Sequence, residues 1–144
     1  MLMGFLSGSV RKNVSSANPL PVSLDAGNGL SEWYERESTL SGDELTAEKA
    51  APGAGKRLLI TGFVVHYFMN AANPGRVTAT LKDGSDTVLV KGDTYVSVAT
   101  DGGNIEVQFS APFQATENTA VSVVVEASEA VELHVTLLGR TVDA

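Results

Sequence analysis

The sequence predicts an all-β protein, an antiparallel β-sandwich or jelly-roll-like domain preceded by an extended N-terminal arm. From residue 57 onward, short segments alternate between apolar and polar residues, and turn-forming residues separate them about every 8 to 12 positions. Before residue 52 the chain shows no sustained helical or strand periodicity. We therefore assign residues 1–52 to an arm with little regular structure and residues 53–144 to the sandwich domain.

The arm is rich in small and polar residues, and turn signals recur along it every few positions. One stretch, SGDELTAEKAA (41–51), could form a helical turn or two, with Ser41 or Asp43 as its N-cap and the following Pro-Gly ending it. The sequence APGAGK then indicates a hinge before the domain.

The segment NPLPVSL, residues 18–24, is the stiffest part of the arm. Two prolines fix φ at about −65° and hold the residues before them extended, which favours polyproline II or an edge-type strand. Apolar side chains then alternate along it and offer contacts to a partner, so we interpret the segment as a docking strap; an inert linker is the alternative. The strap residues are Pro19, Leu20, Pro21, Val22 and Leu24.

The first strand of the domain, RLLITGFVVHYFMN (57–70), is apolar at both alternating sets of positions. A strand of a two-layer sandwich normally turns one face to water. We expect its second face to be covered by the arm or by another subunit, and we place Phe63, Val65 and Tyr67 in that contact. A simple excess of apolar residues is the alternative.

The remaining strands follow in order, separated by the turns NPG, DGSD, KGD and DGGN and by the loop APFQATENTA. The predicted strands are RVTATLKDG (76–84), TVLVKGD (87–93), TYVSVAT (94–100), IEVQFS (105–110), AVSVVVEA (120–127) and VELHVTLLGRTV (131–142). Their alternation predicts the inward-facing sets Val77, Ala79 and Leu81, then Ile105, Val107 and Phe109, then Val131, Leu133, Val135 and Leu137.

Composition argues against several classes of partner. The chain has 10 basic and 17 acidic residues, a net charge of −7, and no basic cluster of the kind that binds nucleic acid or an anionic membrane. It has no cysteine, so disulfides and thiolate chemistry are excluded. We also expect neither a signal peptide nor a membrane span, because no apolar run has the required length and flanking charge.

No motif in the sequence points to catalysis, a cofactor or a metal. Lys56 in PGAGKR fails the phosphate-loop pattern, because Arg57 replaces the Ser or Thr that binds magnesium and a strand follows instead of a helix. His66 and His134 each lie within a strand, where a surface-facing histidine is the ordinary interpretation, with His134 on the polar face. The aspartate-rich turns lack a calcium-loop pattern. We expect a protein that is not an enzyme.

Trp33 and Tyr34 form the only Trp-containing cluster and fall within the predicted arm. Exposed aromatic side chains can anchor an interface or stack on a sugar. Because the arm has no core of its own, we expect the pair to pack onto the sandwich or onto a neighbouring subunit, and we favour an interface anchor over a sugar platform.

Several stretches together resemble small β-sandwich structural proteins of tailed-bacteriophage particles. These are NVSSANPLPVSL (13–24), RLLITGFVV (57–65), VTATLKDGSDTV (77–88), IEVQFSAPFQATENTAVSVVVEAS (105–128) and VTLLGRTV (135–142). These stretches are spread along the chain from residue 13 to residue 142.

The resemblance implies a virion protein that decorates or cements a capsid as a homotrimer, or that forms part of a tail or fibre. It also implies that the major capsid protein is the partner, that the protein lies on the capsid surface of virions assembled in the host cytoplasm, and that the functional surface is an interface. The alternative is a receptor- or glycan-binding sandwich module, which predicts an exposed aromatic platform on the sandwich loops.

Overall fold

The computed structural model describes residues 7–8, 10–11, 31–68, 75–95 and 102–144. Every regular element among these residues is a β-strand, which confirms the all-β fold class. The chain divides into two units between Ser31 and Glu32, and the predicted strap lies outside the described residues. The strands are β1 (Ser7–Gly8), β2 (Val10–Arg11), β3 (Glu32–Lys49), β4 (Lys56–Phe68), β5 (Gly75–Asp83), β6 (Asp86–Tyr95), β7 (Gly102–Gln114) and β8 (Val121–Asp143). In the first unit β1 and β2 pair in parallel.

In the second unit, β8 is the central strand of a six-stranded antiparallel sheet. Strand β3 pairs along one edge of β8 over nearly its whole length. On the other edge, β4 pairs with the C-terminal half of β8 and β5 with the N-terminal half. Strand β7 then pairs with β4, and β6 with β5. We call the part of the sheet that contains β4, β7 and the C-terminal half of β8 the β4/β7 layer. The part that contains β5, β6 and the N-terminal half of β8 is the β5/β6 layer.

The sheet curls so that these two layers face each other. Lys49 and Glu35 lie fourteen positions apart in β3, a separation of about 45 Å in a straight strand. Their side chains nevertheless form an ion pair, with Nζ 3.3 Å from Oε2. The bend coincides with a break in the β3–β8 register, where residues 127–130 of β8 lie opposite Asp43 alone. Extra residues in one strand of a pair bend and twist it.

One apolar core lies between the two layers. The inward-facing sets predicted for β5 and for the second half of β8 are fully buried, and Ile105 is buried with Val107 and Phe109 packed against it, so these predictions are confirmed. The two layers are also joined at one end, where the Tyr67 hydroxyl donates a hydrogen bond to Asp93 of β6.

A bulge in β4 explains the apolar residues that the sequence shows on both sides of this strand. The pairing with β7 and β8 shifts between Ile60 and Gly62, so the inward side changes from even to odd positions. Leu58 and Ile60 point into the core before the bulge, and Phe63, Val65 and Tyr67 point into it afterwards. Much of the apolar content therefore serves one face, and cover from outside is not needed to account for it.

The prediction of an irregular arm up to residue 52 is wrong from Glu32 onward. Residues 32–49 form β3, and the helical turn predicted at 41–51 is instead extended strand. The reason is that β3 obtains its backbone hydrogen bonds from β8 while burying few apolar side chains of its own, chiefly Trp33, Leu45 and Ala47. An edge strand of this kind carries little of the alternation that reveals a strand in sequence.

Three strands also run further than predicted. Strand β6 continues through the predicted KGD turn, where Gly92 pairs with Thr78 of β5. Strand β7 extends to Gln114, into the predicted loop. Strand β8 joins the last two predicted strands, because residues 127–130 form a bulge and not a turn.

The bulge in β4 predicts that alanine substitution reduces stability by very different amounts at two adjacent residues. We expect Phe63→Ala to lower the free energy of unfolding by about 3–5 kcal/mol, because it empties a fully buried position. Val64→Ala should cost about 1 kcal/mol or less, because Val64 faces outward and is half-buried. Urea titrations followed by circular dichroism measure both. Equal losses of stability in the two variants would contradict the assignment of Phe63 to the core side of β4 and of Val64 to its outward side.

Gly62 is expected to be required at this bulge. A Cβ added there would overlap the backbone carbonyl oxygen of Val107 on β7, which cannot rotate away. We expect Gly62→Ala to destabilise the protein by about 1–3 kcal/mol, the usual cost of overpacking. Gly42→Ala is the matched control, because its nearest atoms belong to the Thr39 side chain. A Gly62→Ala variant as stable as the control in the same titration would contradict this account.

Candidate ligand-binding face

The outward side chains of the β4/β7 layer form one continuous surface, which we call the outer face. Residues paired directly across neighbouring antiparallel strands point to the same side of a sheet, so the registers of β3, β8, β4 and β7 give its rows. In that strand order the rows are Tyr34–Leu138–Gly62–Gln108, Arg36–Thr136–Val64–Glu106 and Ser38–His134–His66–Asn104, followed by Glu132–Phe68–Gly102 on the last three strands.

The outer face carries most of the exposed large apolar side chains in the described part of the sandwich. Tyr34 is 61% exposed, Phe68 51% and Leu138 38%. Leu40, also exposed, lies at the bend of β3 beside this face. In the β5/β6 layer, by contrast, Val90 is the exposed large apolar residue, and its neighbours on the outward side include threonines and glutamates. The two outward surfaces therefore differ in chemistry.

Two histidines meet at the centre of the outer face. His66 on β4 and His134 on β8 are directly paired in the antiparallel register, which places Cβ atoms about 5 Å apart. Nε2 of His134 lies 2.7 Å from Oε2 of Glu132. The Phe68 ring meets the His134 ring edge to face, with centroids 6.1 Å apart and an interplanar angle of 83°. Glu132 and Phe68 thus fix the orientation of the His134 imidazole.

Arg36 lies on the neighbouring edge strand, one row away from the histidines. Its guanidinium carbon is 5.2 Å from the centroid of the Tyr34 ring, a cation–π distance. Within the part of the chain that the structure describes, no carboxylate forms an ion pair with Arg36. The guanidinium is therefore held by a ring face and keeps its hydrogen-bond donors for another group.

Two shallow depressions lie side by side on the outer face. The larger, of about 490 Å³, is lined by Arg36, His66, Phe68, His134 and Thr136. The smaller, of about 230 Å³, lies where Gly62 contributes no side chain, and its walls include Val64, Glu106, Gln108 and Leu138. Both combine hydrogen-bonding groups with apolar surface, which suits binding of an extended polar ligand.

The described residues offer no arrangement suited to metal binding. Among residues 31–68, 75–95 and 102–144 there is no group of three or more His, Asp or Glu side chains that could hold a metal ion. The same residues contain no helix with the length and apolarity needed to cross a bilayer. The chemistry that the outer face offers is stacking, hydrogen bonding and ion pairing.

The structure separates the residues that the sequence proposed for an interface. Tyr34 is exposed on the outer face, whereas Trp33, the preceding residue, points inward and packs against the core. Phe63, Val65 and Tyr67 are buried in the core, so their prediction as partner contacts is wrong; the bulge at Gly62 turns them inward. Pro19, Leu20, Pro21, Val22 and Leu24 lie outside the described residues.

Several residues of the outer face escaped the sequence analysis. Phe68 lies in the strand that is apolar at both alternating sets of positions, and only the register after the bulge shows that it faces outward. Arg36 fell in the supposed arm. The surface position of His134 was predicted and is confirmed, since it is half-buried on the outward side. Its pairing with His66 could not be seen, because 68 positions separate the two in sequence.

Comparison with known proteins adds no family. No protein-family model matches the chain, and no curated protein matches it. Among solved structures, the chain is similar to TmCBM61 in complex with beta-1,4-galactotriose, at 14% identity and a TM-score of 0.31. The match covers 78% of this chain and 69% of that chain. At this TM-score the similarity carries no argument about what this chain binds.

Truncation of Trp33 is predicted to reduce stability far more than truncation of Tyr34. We expect Trp33→Ala to lower the free energy of unfolding by about 2–4 kcal/mol, because the indole packs on the core beneath Lys49. Tyr34→Ala should change it by about 0.5 kcal/mol or less, because the ring faces solvent. Thermal unfolding followed by circular dichroism compares the two. A destabilised Tyr34→Ala variant would show that this ring is structural and not available to a ligand.

Proposed function

We propose that the chain is a virion structural protein of a tailed bacteriophage that decorates or cements the capsid. The observation that supports this proposal is the concentration of exposed apolar side chains on one outward face of the sandwich. Large apolar side chains exposed together on one face are typical of interaction sites in soluble proteins. The sequence resemblance supplies the kind of assembly, with the major capsid protein as partner and a homotrimer as the assembled form.

Stabilisation of a shell by such a protein follows from mass action. A ligand that binds only the assembled state stabilises that state by RT ln(1 + [L]/Kd), about 2.7 kcal/mol at a hundredfold excess over Kd. The outer face would supply buried apolar area, with Tyr34, Phe68 and Leu138 as anchors. The strap at residues 18–24 would add main-chain and pocket contacts along a neighbouring sheet edge. Its prolines lower the entropy lost on docking.

The glycan-binding alternative is favoured by a specific observation. The two exposed aromatic rings of the outer face, those of Tyr34 and Phe68, lie on a sheet surface with polar side chains between them. Aromatic rings of this kind can stack on sugar rings while neighbouring polar groups bind hydroxyls. Within the described residues these two rings lie on the sheet, whereas the alternative predicts an aromatic platform on the sandwich loops.

Decoration is tested with capsids of the source phage prepared without this protein. We expect the protein to be trimeric by analytical ultracentrifugation and to raise the temperature at which these capsids disrupt. Deletion of residues 1–30 should leave the sandwich folded and weaken capsid binding by at least about tenfold, the loss expected when one docking element is removed. Unchanged binding after the deletion would contradict the role of the strap.

A pair of surface variants tests the outer face in the same assay. Replacement of Phe68 and Leu138 by serine should weaken capsid binding, because both side chains are exposed anchors. Val90→Ser, on the outward side of the β5/β6 layer, is the matched control and should bind normally. A monomeric protein that does not bind capsids in any form would overturn the decoration proposal.

A further inference from the structure

We propose that the outer face binds an acidic oligosaccharide, in which Arg36 pairs with a sugar carboxylate while Tyr34 and Phe68 stack on sugar rings. This inference rests on the glycan-binding alternative and names its ligand class. It competes with capsid decoration for the outer face, because decoration would bury the same Tyr34 and Phe68 side chains against a protein partner.

The distribution of side chains favours a sugar over a protein segment. At the core of a protein interface, apolar residues are contiguous and charged residues are depleted. On the outer face the aromatic rings are separated by polar residues, because the two central rows carry Arg36, Ser38, His66, His134 and Thr136. A carbohydrate matches this pattern, since its rings present C–H groups to aromatic faces and hydroxyls to the polar groups between them.

The distance between the aromatic rings suits an oligosaccharide of several units. Tyr34 is paired with Leu138, and Phe68 with Glu132, so the rings are six positions apart along the strands and two strands apart across them. This corresponds to about 20 Å along the sheet and about 10 Å across it. The larger depression lies between these limits and is open to solvent, whereas the smaller depression lies beyond β4, against β7.

Charge selects an acidic sugar. Arg36 has no carboxylate partner among the described residues, and its guanidinium is presented at the edge of the larger depression. The acids of the same face are not placed to neutralise it. Glu132 is hydrogen-bonded to His134, and Glu32 lies opposite Arg140 in the register. Glu106 lies three strands away in the same row, about 14 Å. A guanidinium fork binds a carboxylate through two parallel hydrogen bonds. Thr136 and the two imidazoles border the same space and can bind the neighbouring hydroxyls.

The test measures binding of the full chain to matched charged and uncharged ligands by isothermal titration calorimetry. The probes are tetrasaccharides of galacturonic and glucuronic acid and a sialylated tetrasaccharide, each compared with its methyl ester, which keeps the rings and removes the charge. We expect at least one acid to bind, and its ester to bind at least about tenfold more weakly, as loss of a charge-assisted bidentate contact requires. Affinity for the acid should fall as salt is raised.

Variants assign this preference to Arg36. Arg36→Gln should reduce affinity for the acid to that of the ester and leave affinity for the ester unchanged, whereas Tyr34→Ala and Phe68→Ala should weaken both. Arg76→Gln, an exposed arginine on β5 of the other layer, is the control and should bind as the unmodified protein does. Far-ultraviolet circular dichroism confirms that each variant is folded.

The outcomes distinguish a failure of the acidic specificity from a failure of the glycan-binding alternative on which it rests. Equal binding of acid and ester, with no effect of Arg36→Gln, overturns the acidic specificity and leaves the glycan-binding alternative in place. No binding of any probe at millimolar concentration overturns both. Neither result bears on capsid decoration, which the capsid assay tests separately.

Discussion

The pairing of β3 with β8 is the constraint on which the rest of the sandwich depends. These two strands form a ribbon that runs through both layers, and the other strands attach to the free edge of β8, either directly or through β4 and β5. Where the ribbon bends, four residues of β8 lie opposite one residue of β3, so the backbone can turn without losing the pairing on either side. The ion pair between Lys49 and Glu35 bridges the two ends of β3 that this bend brings together. The two layers of this sandwich are therefore two halves of one bent sheet, whereas a sandwich usually consists of two separate sheets.

The parts of the fold that the sequence predicts are those in which one strand face is buried and the other is wet. Strand β5 and the second half of β8 are central and alternate cleanly, so Val77, Leu81 and Leu133 could be placed in the core from sequence. Strand β3 could not be recognised, because its inward positions near Trp33 include Glu35 and Glu37, and its extended form comes from pairing with β8. Side-chain pattern reports burial, and an edge strand buries little.

Strand β4 shows a different limit. Its residues were recognised as a strand, but a single bulge reverses the facing of everything that follows it. The one sequence signal is Gly62, a small residue within an apolar run, and a glycine inside a strand is compatible with a bulge without requiring one. The outer face was hidden for a related reason. Arg36, His66 and His134 come from three strands distant in sequence, and they become neighbours only when the register is known.

The place of β8 in the chain order affects how the protein is made. Strand β8 follows β3, β4 and β5 in the chain, so during synthesis these three strands leave the ribosome before their shared partner. Folds dominated by contacts between distant positions form slowly, and their unpaired edges and apolar surfaces are prone to aggregation meanwhile. Strand β3 carries several acidic residues, which can act on the chain before it is folded. They include Glu32, Glu35, Glu37, Glu44 and Glu48. Negative charge on an unpaired strand edge opposes premature pairing between nascent chains.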